Sequence, residues 1–420
     1  MVAAAYAQPP ANPAAGALSR EAEAVFAAAR PRLLQIRLIL GTSQAQASIG
    51  SGFIASRDGW VITNYHVVAN AIAEPANYSI EFVRADGTRG ALELAAVDVV
   101  NDLAVLRLGA AAESSFELRA PDKPLAKGER VFAMGNPHDL GLTIVEGTFN
   151  GRAETSFIDR FHYTGAINPG MSGGPAVDRD GRVVGINVAR MVSSQLVSFL
   201  VPAERAIGLL ARARAASGAP PTREEVGRQL GAHQAALMTL LDRPVPTSRF
   251  DRYEVPDSFG AFMRCWGRSN RDRDRDSLYT LDVKQCSVDA DVFVSGELRT
   301  GDLQFRHVVL ASESLGRARF QRLFAQRFSD DPHSGGSKRE FTPYRCDEDF
   351  IDKGAKRVVR VVVCARAYKQ FSGLADVRMK VATLESDTRG LISTLELNGV
   401  EFARGMRFAR AYLEALAWAK

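Results

Sequence analysis

The sequence predicts an all-β first half followed by an α+β second half, and three observations carry that prediction. From Leu33 to Val201, short apolar runs alternate with turns rich in Gly, Asp and Asn, the pattern of an all-β domain. The segment Ala215-Ala216-Ser217-Gly218-Ala219-Pro220-Pro221 is a small-residue linker ended by prolines. Beyond it, helical patterns interleave with β-like runs. At 420 residues the chain exceeds one ordinary core, so two or more domains are expected. An apolar fraction of 46% with 24% charged residues is that of a globular protein.

Taken in order, residues 1–18 are expected to lack regular structure. Ala3-Ala4-Ala5-Tyr6-Ala7-Gln8-Pro9-Pro10 reads as the end of a secretory signal, with Ala5-Tyr6-Ala7 as its small-x-small cleavage site. An Ala/Pro-rich disordered tail is the alternative. Ser19 caps a short helix through Arg30, which Pro31 ends. Pro202 to Arg214 reads as a helix closing a first domain over residues 19–214, before the linker at 215–221 and a second domain over 222–420. Thr222-Arg223-Glu224-Glu225 is a capping box that opens a helix to about Leu241. Arg243-Pro244-Val245-Pro246-Thr247 then breaks the chain. β-like runs follow at Leu278–Lys284, Val292–Gly296, Arg357–Tyr368 and Val377–Leu384, with a helix at Ala318–Arg327. Phe402, Met406, Ala409, Leu413 and Leu416 share one face of a C-terminal helix, with Arg404, Arg407 and Arg410 off that stripe, as expected of a helix packed on a sheet.

The net charge of +5 is spread among acids rather than massed, which argues against a nucleic-acid partner. The run Arg271-Asp272-Arg273-Asp274-Arg275-Asp276 neutralises itself and reads as a solvated loop. No stretch of 18 or more uninterrupted apolar residues offers a transmembrane helix. All four cysteines, Cys265, Cys286, Cys346 and Cys364, lie in the second half. They form no Cys-x-x-Cys and have no nearby His pairing, so no metal site and no cofactor is expected. Three pairings are open to them. Neighbouring β-like segments favour Cys265–Cys286 and Cys346–Cys364, whereas a cytosolic location would leave four buried thiols.

The chemistry concentrates in three motifs. Thr63-Asn64-Tyr65-His66-Val67-Val68 and Asn101-Asp102-Leu103-Ala104-Val105-Leu106 precede Asn168-Pro169-Gly170-Met171-Ser172-Gly173-Gly174-Pro175. A Ser held between glycines, with His and Asp earlier in that order, is one way to build an acyl-transfer nucleophile. The hydroxyl needs a base, and the base needs a group to orient it. His66 has the side chain whose ordinary pKa lies near neutrality. His138, His162, His233, His307 and His333 have no motif around them and read as structural or surface residues.

These motifs, with Ile49-Gly50-Ser51-Gly52-Phe53-Ile54, Gly59-Trp60-Val61-Ile62, Gly135-Asn136-Pro137 and Gly185-Ile186-Asn187, resemble the trypsin-like (chymotrypsin-fold) serine peptidases over about residues 33–205, and within them the bacterial HtrA/Deg-like branch. The resemblance implies an all-β double β-barrel with a triad in the cleft between barrels. His66 would be the general base, Asp102 its orienting carboxylate and Ser172 the nucleophile. Backbone N–H groups of the Gly170-Met171-Ser172 turn, Gly170 and Ser172 foremost, would form the oxyanion hole, each donor contributing about 3–4 kcal/mol to the transition state. Substrate would be held by Ala166, Ile167, Arg190 and Met191, and by the strand edge at Ser198, Phe199 and Leu200. No acid lies at the base of that pocket, so a small or medium apolar residue is expected there.

Two departures stand beside the base and nucleophile. Met171 replaces the usual polar residue, and Tyr65 replaces a small or amide residue and is expected to crowd the site. Relatives of this kind carry PDZ domains after the peptidase, but residues 222–420 lack a recognisable carboxylate-binding loop. The expectation is a bacterial periplasmic or secreted serine endopeptidase acting on protein or peptide substrates, with a C-terminal domain that regulates it or binds a protein partner or effector. A latent or non-catalytic scaffold of the same fold is the main alternative, with an esterase-like acyl transferase a third. No motif sets an oligomeric state.

Overall fold

The computed structural model describes residues 19–188, 197–216, 220–271, 277–329, 336–355, 357–385 and 387–419. The N-terminal tail, Arg190, Met191, residues 217–219 of the linker, Asp272–Asp276 and His333 lie outside them.

Helix α1 (Arg20–Ala29) starts where Ser19 Oγ accepts the Ala22 N–H at 3.2 Å, as the capping pattern predicts. The first barrel follows: β1 (Leu33–Leu40), β2 (Ala45–Ile54), β3 (Trp60–Thr63), β4 (Tyr78–Val83), β5 (Arg89–Asp98) and β6 (Leu103–Leu108), closed in the order β1-β2-β3-β6-β5-β4. Helix α2 (Tyr65–Ala73) bridges β3 and β4. The second barrel is β7 (Arg130–Gly135), β8 (Thr143–Arg152), β9 (Phe161–Thr164), β10 (Pro175–Val177), β11 (Val183–Val188) and β12 (Ser198–Pro202), closed as β10-β11-β12-β9-β8-β7. Closure leaves neither sheet an open edge. Between the barrels a shared core joins Leu33, Phe53 and Leu103 to Phe132, Met134 and Val177, and both α1 and α3 (Ala203–Ala215) pack on it.

In the second half, α4 (Arg223–Leu241) begins at the predicted cap, where Thr222 Oγ1 accepts the Glu225 N–H. Then come β13 (Thr247–Phe250), β14 (Tyr253–Pro256), β15 (Met263–Ser269), β16 (Thr280–Val288), the hairpin β17 (Val292–Ser295) and β18 (Leu298–Thr300), β19 (Leu303–Ala311), α5 (Arg317–Ser329), β20 (Arg345–Asp352), β21 (Val358–Ala367), β22 (Leu374–Leu384), β23 (Arg389–Glu401), α6 (Phe402–Ala415) and β24 (Ala417–Trp418). Seven of these strands form an antiparallel sheet ordered β15-β16-β19-β23-β22-β21-β20. Along β19 burial alternates with the pleat: Leu303, Phe305 and Val309 join α4 and α6 in one core, while Leu310 meets Phe320 and Phe324 of α5 on the other face. The fold is thus a double β-barrel followed by an α+β domain.

The C-terminal helix is rotated from the expected stripe. Gly405, Phe408, Ala409 and Tyr412 are its buried residues and Phe402 is 50% exposed. Tyr412 decides this, because its hydroxyl shares a buried hydrogen bond with Ser393 Oγ at 2.8 Å, beneath the ring of His307.

Both disulfides are those the neighbouring segments favoured. Cys265 and Cys286 are directly paired across β15 and β16, and Cys346 and Cys364 across β20 and β21. Each staples an edge strand to the sheet. The loops they close span 21 and 18 residues, for which chain-entropy arguments give roughly 3 kcal/mol each. Reduction is therefore expected to lower unfolding stability by about 2–3 kcal/mol per bridge, with hydrogen exchange rising first in 263–269 and 345–352; protection unchanged at those edges on reduction would contradict it.

Candidate active site

His66 sits in the first turn of α2, where its backbone N–H is one of the donors a helix start leaves unpaired. Asp102 takes that donor. Its Oδ1 accepts the His66 backbone N–H at 2.9 Å and its Oδ2 meets His66 Nδ1 at 2.7 Å. One carboxylate thus fixes both the ring and the helix start that carries it. Asp102 lies in the turn before β6 at φ +58°, a left-handed conformation that Asp tolerates better than most residues. The Asn64 side chain holds its carbonyl at 2.7 Å. Burial works against an imidazolium at His66, but the charge and hydrogen bond of Asp102 outweigh it, and the His66 pKa lies above its ordinary value.

Ser172 is 4% exposed and lies in the turn between β9 and β10. The first barrel holds this turn through Ser51. The Ser51 N–H donates to Ser172 O at 2.7 Å and its hydroxyl donates to Gly170 O at 2.7 Å, while the same hydroxyl accepts the Asn136 N–H at 2.9 Å. Gly173 has no room for a side chain: a Cβ there would stand 2.3 Å from Ser51 O and 2.4 Å from Thr63 Oγ1. Gly50 lies between this turn and α2, since a Cβ on it would meet Val67 at 2.5 Å and Ser172 O at 3.1 Å. Asn187 on β11 closes the other side, accepting the Gly173 N–H through its carbonyl at 3.0 Å and donating its side chain to Met134 O at 2.8 Å.

Several expectations about the surrounding residues change. Met171 N–H donates to Asn168 O at 3.0 Å, closing its own turn, so it is not available to an oxyanion; its side chain is buried in the second-barrel core. Tyr65 does not crowd the cleft. It is 2% exposed within the first-barrel core, and its hydroxyl donates to Val294 O of the β17 strand at 2.9 Å. Ser198–Leu200 offers no free edge to a peptide, because Phe199 and Leu200 are paired with β11 on one side and β9 on the other. Leu200 points into the second-barrel core, and Ser198 Oγ serves Gly165 O at 2.6 Å and the Ile167 N–H at 3.2 Å. Ala166 is exposed and Ile167 half-buried beside that core. His233 and His307 are core residues, His307 bridging Pro256 O and Ser393 Oγ with its pKa pushed down to about 4 by burial.

Sequence reading missed Ser51 as the clamp on the Ser172 turn, although it lies inside the Gly-Ser-Gly run quoted above. It also missed Phe293, whose ring lies edge-on to His66 with centroids 5.9 Å apart. No local signal in Val292–Gly296 could have announced that contact. Among the described residues no helix is long and apolar enough to cross a membrane. The one metal-like grouping there, Asp257 with Cys265 and Cys286, contains the two halves of a disulfide and so has no thiolate to offer.

Two measurements check this geometry. Ser51→Ala leaves Gly170 O and the Asn136 N–H without their buried partner, with an expected loss of about 1–3 kcal/mol in urea unfolding. An NMR titration of His66 is expected to place its pKa above that of an ordinary histidine, and Asp102→Asn to carry it downward, since only burial and neighbouring positive charge then remain; an unmoved midpoint would show that Asp102 does not set it.

Comparison with known proteins agrees with the geometry. Residues 50–186 match the model of the trypsin-like peptidase domain. The chain is 29% identical to human serine protease HTRA4 over 61% of this chain and 54% of that protein. It is 33% identical to a probable periplasmic serine endoprotease DegP-like of Bartonella henselae over 46% of this chain and 41% of that one. The chain thus spans about half the length of the curated relatives it matches. Among solved structures, the serine endoprotease of Yersinia pestis aligns at 25% identity over 47% of this chain and 68% of that one, with a TM-score of 0.40. By its family match, its relatives and its two closed barrels, the first half of this chain is similar to the trypsin-like serine peptidases of the HtrA kind.

Proposed function

We propose that this chain is a serine endopeptidase in which His66, Asp102 and Ser172 act as base, orienting carboxylate and nucleophile. The observation that carries the reading is the two-point grip of Asp102 on His66, through Nδ1 at 2.7 Å and the backbone N–H at 2.9 Å. With Nδ1 occupied as a donor, Nε2 is the nitrogen left to accept a proton. Ser172 Oγ attacks the scissile carbonyl as His66 Nε2 takes its proton. The N–H groups of Gly170, at φ +94°, and Ser172 steady the oxyanion. His66 returns the proton to the leaving amine, and water then releases the acyl group by the same steps in reverse.

The domain limits proposed are 19–214 for the peptidase, 215–221 for the linker and 222–420 for a regulatory or partner-binding domain. Two disulfides in that domain and the periplasmic name of a relative support a periplasmic or secreted location. Ala166 and Ile167, together with Arg190 and Met191, remain the proposed lining of the specificity pocket.

Labelling with a fluorophosphonate probe tests the reading, because it needs both an activated serine and an oxyanion hole. Wild type is expected to label and Ser172→Ala to lose all labelling. Casein hydrolysis is expected to fall by at least about 10³-fold in the same variant. Folded wild type that fails to label would remove the endopeptidase reading in favour of a non-catalytic scaffold.

A further inference from the structure

The hairpin β17–β18 stands more than a hundred residues beyond the nucleophile in sequence, yet it is built into the catalytic cleft. Val292, Val294 and Leu298 are buried in the same core as Leu34, Ile36, Val67 and Val99 of the first barrel. The buried Tyr65 hydroxyl pins the strand at Val294 O, and Phe293 packs edge-on against both Tyr65 and His66. Arg299, from the returning strand, lies over the Phe293 ring at 5.6 Å and pairs with Asp291 at 2.7 Å. From the second barrel, the loop between β8 and β9 is tied to the same region by the Phe157 N–H on Asp289 O at 3.1 Å.

These elements do not fill the space beside His66. They enclose a cleft of about 170 Å³, open on one side and bounded by His66 and Val99 from the first barrel, Ile158 and Val188 from the second, and Phe293 and Arg299 from the C-terminal half. A cavity of roughly 150 Å³ is enough to hold a benzene-sized group. About half of its lining is aliphatic or aromatic; among the charged side chains that share it, Asp102 is held by His66 and Asp291 is matched by Arg299, with Arg160 and Asp289 beside them. A single apolar side chain fits that chemistry better than a charged one.

We infer that β17–β18 is the third wall of a substrate subsite beside His66, and that this subsite takes one medium-sized apolar side chain of the peptide, from a residue next to the bond being cut. This rests on the peptidase reading above. It makes the C-terminal half part of the substrate-binding surface, with Phe293 a specificity-determining residue carried by that half.

The test uses the full-length protein and a set of fluorogenic peptides varied one position at a time around the cleaved bond, with Gly, Val, Leu and Lys at each. Wild type is expected to favour Leu or Val over Gly by about tenfold or more in kcat/KM at one of those positions, the usual scale for filling an apolar pocket. Phe293→Ala is expected to cut that ratio at least fivefold, chiefly through KM, and Phe293→Leu to restore most of it. An unchanged ratio in Phe293→Ala would overturn the inference. So would a parallel rise in kcat/KM on every peptide, which would make the hairpin an autoinhibitory latch. Fluorophosphonate labelling of the same preparations separates the two levels: wild type that labels but shows no apolar preference sinks the subsite alone, whereas wild type that neither labels nor cleaves sinks the peptidase reading and the subsite with it. Should Phe293→Ala fail to fold, a reduced apolar-to-glycine ratio in Arg299→Ala, which alters the same wall, supports the subsite, and an unchanged ratio there overturns it.

Discussion

Ser51 on β2 makes its contacts with the backbone of the turn that carries Ser172, and the arrangement of the cleft follows from them. Its amide and hydroxyl fix the carbonyls of Ser172 and Gly170, its hydroxyl also receives the Asn136 amide, and its own carbonyl accepts the Thr63 hydroxyl at 2.7 Å. The residue is 1% exposed, so these groups have no water to fall back on. A turn with glycines at 170, 173 and 174 has wide conformational freedom on its own. Buried hydrogen bonds to a strand of the other barrel remove that freedom and set the Ser172 turn beside the helix that carries His66.

Asp102 is held by a comparable device that reaches further. The segment leading to its turn is braced by Gln229 of α4, whose side chain donates to Val97 O at 3.0 Å and accepts the Val99 N–H at 2.8 Å. Val226 and Leu230 of that helix are buried with the first-barrel core, as are Phe341, Tyr368, Phe371 and Leu374 from farther along the chain. The two halves are therefore one packed body around the cleft. The C-terminal half thus touches both sides of the same hydrogen-bonded pair, the segment before Asp102 through α4 and His66 through Phe293.

Much of the fold was legible locally. Ser19 and Thr222 cap the helices that their side chains announce, and the cystines join the segments that lie next to one another as β-like runs. Other elements were hidden. The central strands β19 and β23 carry His307, Gly390, Asn398 and Gly399, residues that read as punctuation in isolation but sit in a sheet covered on both faces. The stripe on α6 went wrong by a rotation because Tyr412 looks polar until its hydroxyl has Ser393 to meet. The edge expected at Ser198–Leu200 vanished because barrel closure pairs that strand on both sides.

The sequence by itself determined the candidate site: a serine between glycines, a histidine and an aspartate in the order that a nucleophile, its base and an orienting group would require, and a β-rich frame around them. These are properties of residue types and short spacings, and they survive without knowledge of any distant contact. Only the tertiary structure decided which amides the turn at residues 170–174 keeps for itself, where Tyr65 sends its hydroxyl, and that Phe293 reaches His66. The contact between Tyr65 and Val294 joins residues 229 positions apart, and no local pattern can encode it. It forms because both partners are buried, and a buried hydroxyl or carbonyl must find its hydrogen bond wherever the fold supplies one.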